Sequence, residues 1–257
     1  MSNLSVCVAG ATGWTGAAIA EAVAAAGDLE LRSAVSRSSA GTELHGAPVR
    51  ATVAEALDGV DVLIDYTSHE TVKANTLAAI ERGVAVVIGT SGLTADDFGE
   101  IDAAAGEHGV GVISAGNFSL TAAMAKAAAL LAARHLPSWE IIDYASAGKA
   151  DAPSGTAREL AEELGATARE RSLAETHGAV EARGADVGGT QVHSLRLPSF
   201  TVSTEIVFGL PDERLSIRHD AGSSAVPYVA GTLLAARAAP TRVGLTRGLD
   251  TLLLGDG

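Results

Sequence analysis

The chain has 257 residues, 47% of them hydrophobic, a formal net charge of −13 and a single cysteine. That much apolar sequence supports one large core or two modest ones and excludes a disordered chain. The acidic balance argues against a nucleic-acid partner, which needs a basic surface, and the lone Cys7 rules out an intrachain disulfide or a cysteine-rich zinc site.

From the start, LSVCVAG (4–10) is a short β-branched apolar run and Trp14 to Ala26 is rich in helix formers, so strand, glycine turn and helix are expected in that order. LELRSAV (29–35) reads as a second strand, followed by a Ser/Gly-rich loop, SRSSAG. DVLIDYT (61–67), VAVVIGT (84–90) and GVGVISA (109–115) continue the series, with a helix from about Glu70 to Arg82 between the first two and another helical segment before the third. Strands alternating with helices predict an α/β fold, a Rossmann-type doubly wound parallel sheet. No stretch has about 20 uninterrupted apolar residues and MSNLSVCVAG lacks a signal-peptide pattern, so a cytoplasmic protein with no membrane partner is expected.

After Asn117 the texture changes. Residues 119–135 read as a long apolar helix with Ser119 as N-cap, and WEIIDYAS begins a region of strands and longer polar loops. HSLRLPSF, TVSTEIVFGL and RLSIRHDA alternate partially, as antiparallel strands with one buried face do, which predicts a second, α+β domain. Residues 227–240 are again an Ala/Leu helix. The seven histidines show no metal-ligand spacing, so no metal is expected.

GATGWTG (10–16) is a glycine turn between a predicted strand and a predicted helix, the context in which Gly10, Ala11, Thr12, Gly13, Trp14 and Thr15 would let backbone and helix N-terminus meet a pyrophosphate. An acidic side chain at the end of strand two would select NAD; Ser36 and Arg37, followed by two more serines, suit a 2′-phosphate, so NADPH is expected, with NADH possible.

Five separated motifs, VAGATGWTG, DYT (65–67), VIGTSG (87–92), SAGNFSL (114–120) and KADAPSGTA (149–157), resemble those of the 4-hydroxy-tetrahydrodipicolinate reductase family of lysine and diaminopimelate biosynthesis; ERLSIRHDAGS (213–223) resembles its closing strand. The resemblance implies a dinucleotide-binding domain over 1–117, an inserted substrate and oligomerisation domain over 118–226, a return to the first domain over 227–257, and a homotetramer. It also implies that Gly89, Thr90, Ser91, Ala115, Gly116, Asn117 and Phe118 line the nicotinamide, and that Lys149, Ser154, Gly155 and Thr156 bind a small dicarboxylate, Lys149 having the catalytic role. The chemistry fits: a lysine point charge and a Ser-Gly-Thr turn opening a helix both favour a carboxylate.

One position pair departs from the family. Where its members carry two adjacent histidines, the first taken as proton donor, this chain has Ala145 and Ser146. Loss of a general acid costs about a hundredfold to ten-thousandfold. The proton then comes from Lys149, water, Tyr144, His193 or His219, or the substrate is a protonated iminium that needs none. A divergent imine reductase and a non-catalytic dinucleotide-binding protein are the alternatives.

Overall fold

The computed structural model describes residues 3–167 and 177–254. The elements are β1 (Leu4–Ala9), α1 (Trp14–Ala25), β2 (Leu29–Val35), β3 (Glu43–Leu44), β4 (Ala47–Arg50), α2 (Val53–Ala56), β5 (Val62–Asp65), α3 (Val72–Ile80), β6 (Ala85–Ile88), α4 (Ala95–His108) and β7 (Gly111–Ser114). There follow α5 (Leu120–Ala133), β8 (Trp139–Ala145), α6 (Gly155–Thr167), β9 (Ala185–Val187), β10 (Thr190–Arg196), β11 (Val202–Leu210), β12 (Glu213–Ala221), α7 (Val226–Ala238), β13 (Gly244–Arg247) and α8 (Leu249–Leu254). The chain divides into two compact units, Met1–Leu120 with Ala225–Gly257, and Thr121–Ser224.

The first unit holds an eight-stranded sheet in the order β13-β7-β6-β5-β1-β2-β4-β3. Its central strands VLID, AVVI and GVIS are buried at every residue, as strands covered on both faces must be. Leu63 and Ile88 of these strands share a core with Ile80 of α3 and Ile101 of α4. From β1 the chain winds outward through β2 and then crosses back to β5 on the other side. The C-terminal ends of β1 and β5 therefore frame the switch point where doubly wound sheets bind ligands.

In the second unit a five-stranded sheet runs β12-β11-β8-β10-β9. One face of β8 is buried residue by alternate residue, Trp139, Ile141, Asp143 and Ala145 pointing inward. Leu160 and Leu164 of α6 pack with Trp139, Ile141, Ile206 and Phe208 in this unit's core.

The structure adds two features and corrects one expectation. The loop after β2 contains a helical turn at Arg37–Ser39 and the β3–β4 hairpin, strands of two and four residues that are too short for periodicity to mark. β13 adds a strand parallel to β7 that the sequence pattern did not reveal. The strand in HSLRLPSF is not wholly antiparallel: β10 runs parallel to β8 and antiparallel to β9, because α6 supplies the crossover that parallel pairing requires.

Candidate active site

The glycine turn is built by close backbone approach. Gly10 adopts φ +76°, and a Cβ there would strike the Tyr66 carbonyl at the end of β5; a Cβ on Gly16 would strike the Gly10 carbonyl. Gly13 is the N-cap of α1 and offers no side-chain cap, and the first turn of α1 has no acidic residue, so the helix's N–H groups and positive dipole end face outward. Two cavities flank the turn. One, about 470 Å³, lies between Gly10 and Gly13 and the loops bearing Ser36, Arg37, Ser38, Thr52 and Thr67; its lining contains no carboxylate. The other, about 450 Å³, is bounded by Gly13, Trp14 and Thr15, by Tyr66, Thr67, Ser68 and His69, and by Gly89, Thr90 and Ser91.

Asp65 ties these loops together. It is fully buried, and its Oδ1 accepts hydrogen bonds from the Thr67 amide (2.9 Å), the Thr67 hydroxyl (2.6 Å) and the Thr90 hydroxyl (2.9 Å), while Oδ2 accepts from Asn75 Nδ2 (2.8 Å). A buried carboxylate without a cation is tolerable only with donors of this number. Tyr66 is pinned beside it: its hydroxyl is 2.7 Å from Thr232 Oγ1, its ring meets Phe118 edge-on, and a Cβ on Gly89 would collide with it. Burial pushes its phenol up.

The structure thus gathers Gly10, Gly13, Trp14, Thr15, Ser36, Arg37, Gly89, Thr90 and Ser91 around two cavities. Ala11 is fully buried beneath the turn, and Thr12 Oγ1 lies 2.7 Å from Ser36 Oγ. Ala115, Gly116, Asn117 and Phe118 line neither cavity; Ala115 and Phe118 are core residues, and Asn117 Oδ1 accepts from the Ser119 amide just before α5. Sequence reasoning missed Thr52, Ser68 and His69, although for the last two the loop after the strand that crosses back past β1 is where a switch point exposes residues.

In the second unit the DAPSGT turn is held from below by Asp143. Its fully buried carboxylate accepts from the Ser154 amide (2.8 Å), the Ser154 hydroxyl (2.8 Å), the Ser194 hydroxyl (3.2 Å) and Arg196 Nη2 (2.8 Å). Burial opposes its ionisation, but the Arg196 guanidinium and Ser154 donors outweigh that and hold the carboxyl below the usual range. Arg196 Nη2 also donates to the Asp151 carbonyl (2.7 Å), and Lys149 Nζ sits 2.8 Å from Asp151 Oδ1. Ser154 therefore faces inward as the residue preceding α6, its hydroxyl also accepting from the Ala157 amide (3.3 Å), while half-buried Gly155 and Thr156 open the helix.

Ala145 is fully buried on the same face of β8 as Asp143. Strand alternation puts Tyr144 on the opposite face, where its hydroxyl donates to Glu205 (3.0 Å) and burial, foremost, raises its pKa. His193 shares that opposite face, 2.7 Å from Glu140 Oε2. His219 lies 3.1 Å from Thr121 Oγ1 and is desolvated, which lowers its pKa. Among the described residues, no group of three or more His, Cys, Asp or Glu is placed to hold a metal ion.

The family profile described as dihydrodipicolinate reductase, N-terminus, matches residues 4–118, and that described as dihydrodipicolinate reductase, C-terminus, matches 116–253. The 4-hydroxy-tetrahydrodipicolinate reductase of Streptococcus suis is 34% identical over 98% of this chain and all of its own length. That of a Mycobacterium species is 37% identical, covering 97% of this chain and 99% of the relative. The dipicolinate-bound dihydrodipicolinate reductase from Paenisporosarcina sp. TG-14 superposes with a TM-score of 0.81 at 26% identity, over 97% of this chain and 99% of that one. GenD2 of gentamicin A biosynthesis, at 17% identity and a TM-score of 0.67, shares the fold alone. With both profiles matched across almost all its length, the chain belongs to the dihydrodipicolinate reductase family and is an NAD(P)H-dependent oxidoreductase of that type.

Proposed function

We propose that the protein is an NADPH-preferring reductase of lysine and diaminopimelate biosynthesis that delivers hydride to a carboxylate-bearing imine or conjugated imine. The observation that carries this is the DAPSGT turn: Asp143 takes up both polar groups of Ser154, and Gly155 and Thr156 begin a 13-residue helix whose N-terminal end favours an anion. Lys149, tethered to Asp151, supplies the second charge for a dicarboxylate and is the catalytic lysine in this reading. Ser154 serves the site by positioning. The preference for NADPH is supported by Ser36, Arg37 and Ser38 around a cavity without a carboxylate, since a guanidinium flanked by hydroxyls suits a 2′-phosphate.

Gly89, Thr90 and Ser91 border the nicotinamide side of the cofactor site in this reading, with Ala115, Gly116, Asn117 and Phe118 supporting the loop behind it. The protein is cytoplasmic and assembles as a homotetramer through the second unit's sheet, where Leu210 and Leu215 are exposed. No helix among the described residues is long and apolar enough to cross a membrane.

Cofactor titration and inhibition test the reading together. NADPH should bind more tightly than NADH, and pyridine-2,6-dicarboxylate should compete with the imine substrate. Binding of neither the dinucleotide nor the diacid would overturn it.

A further inference from the structure

We propose that His69 is the general acid of the reduction, protonating the substrate as the hydride arrives; the inference rests on the reductase reading above. His69 shares the 450 Å³ cavity with Gly13, Trp14 and Thr15 of the nucleotide turn and with Gly89 to Ser91. Whatever accepts hydride must lie against the nicotinamide ring, so a donor lining the ring's cavity stands beside the reacting bond. The backbone makes room for it: Gly92 adopts φ +109°, and a Cβ there would come within 2.6 Å of the His69 Cβ. Any other residue at 92 would displace the histidine.

Within the first unit the neighbouring groups leave it this role. Tyr66, the other lining side chain with an ionisable proton, is committed to Thr232 and its phenol is pushed up by burial. On the loop that carries His69, Asp65 is spent on Thr67, Thr90 and Asn75, and Glu70 is exposed. The nucleotide turn brings no charged side chain, and beyond Gly92 Asp97 and its partner Lys73 are paired at 2.8 Å. Ala145, at the place of the family histidine, has no proton to give.

A reduced dinucleotide held by the turn and by Gly89 to Ser91 would supply the hydride, the electron pair of its C4–H bond becoming the C–H bond at the imine carbon. The C=N π pair moves to nitrogen, which takes the proton from the His69 imidazolium. His69, being exposed, recovers its proton from water, so each turnover would consume one proton and oxidise one reduced dinucleotide.

The test compares His69→Ala and His69→Gln with wild type on two probes: a cyclic imine carboxylate, such as piperideine carboxylate, and its N-methyl iminium, whose nitrogen needs no proton. The expected result is a fall in kcat of about a hundredfold to ten-thousandfold on the imine, unchanged turnover of the iminium, unchanged NADPH affinity, and partial rescue of His69→Ala by added imidazole. Wild-type kcat on the imine in either variant, or equal losses on both probes, would overturn the assignment while leaving the reductase reading standing. A wild-type enzyme that binds NADPH but reduces neither probe would overturn both.

Discussion

Removing Arg196 should destabilise the second unit through the charge it leaves behind. In Arg196→Met the Asp143 carboxylate, fully buried, loses its one cation partner among the described residues but keeps the Ser154 amide, Ser154 hydroxyl and Ser194 hydroxyl as donors. Breaking a buried ion pair from one side costs about 3–5 kcal/mol. Three surviving hydrogen bonds, and a buried Arg196 Nε that has no partner among the described residues, place the expected loss at the lower end, about 3 kcal/mol. For a chain of this size that lowers the midpoint by about 6–12 °C. Trp139, on β8 and only 3% exposed, reports the unfolding by fluorescence, best in a Trp14→Phe background because Trp14 is the other tryptophan and is exposed. The Asp143→Asn/Arg196→Met double variant removes the stranded charge, so its loss should be smaller than the sum of the single losses. The pH dependence has a fixed sign. Asp143 has a depressed folded pKa, so its contribution is present above the unfolded carboxyl value of about 3.9 and is lost as pH falls through the folded value. Without Arg196 that loss begins at higher pH. A single variant within 1 kcal/mol of wild type, or strictly additive losses, would refute the account of the network.

Other outcomes follow from the same geometry. Arg37→Ala should lower the NADPH/NADH affinity ratio, measured by titration of both cofactors, while leaving NADH binding intact; an unchanged ratio removes Arg37 from the site. Lys149→Ala should weaken pyridine-2,6-dicarboxylate roughly tenfold in calorimetry, about 1.4 kcal/mol, since the lysine is partly exposed and shared with Asp151. Burial pushes the Cys7 thiol up to about 12, so a thiol reagent should leave the native protein unmodified and label one cysteine after denaturation. Restoring the family histidine by Ala145→His should cost stability, about 1–3 kcal/mol by Trp139-monitored melting, because the Ala145 position is fully enclosed.

The parallel sheet and the nucleotide turn were legible because buried strands read as continuous apolar runs and a glycine turn between strand and helix has one common use. The DAPSGT turn was legible as a motif, but its energetics were not: nothing in the local sequence ties Asp143 to Arg196, 53 residues away, and only the parallel pairing of β8 with β10 brings them together. Ser154 looked like a ligand donor and instead faces the core. Tyr144 and His193 looked available, yet their place in the sheet alternation turns them away from Asp143 and Ala145. His69 carried no motif; its position beside Ser91 and Trp14 is a consequence of the strand order, with β5 next to β1.

The most direct test of the central claim is NADPH oxidation with 4-hydroxy-tetrahydrodipicolinate in the presence and absence of pyridine-2,6-dicarboxylate. The account predicts oxidation that depends on the substrate, is competitively inhibited by the diacid, and falls with His69→Ala. Tight cofactor binding with no oxidation, on this substrate or on simpler carboxylate-bearing imines, would contradict it and leave a dinucleotide-binding protein without the reaction.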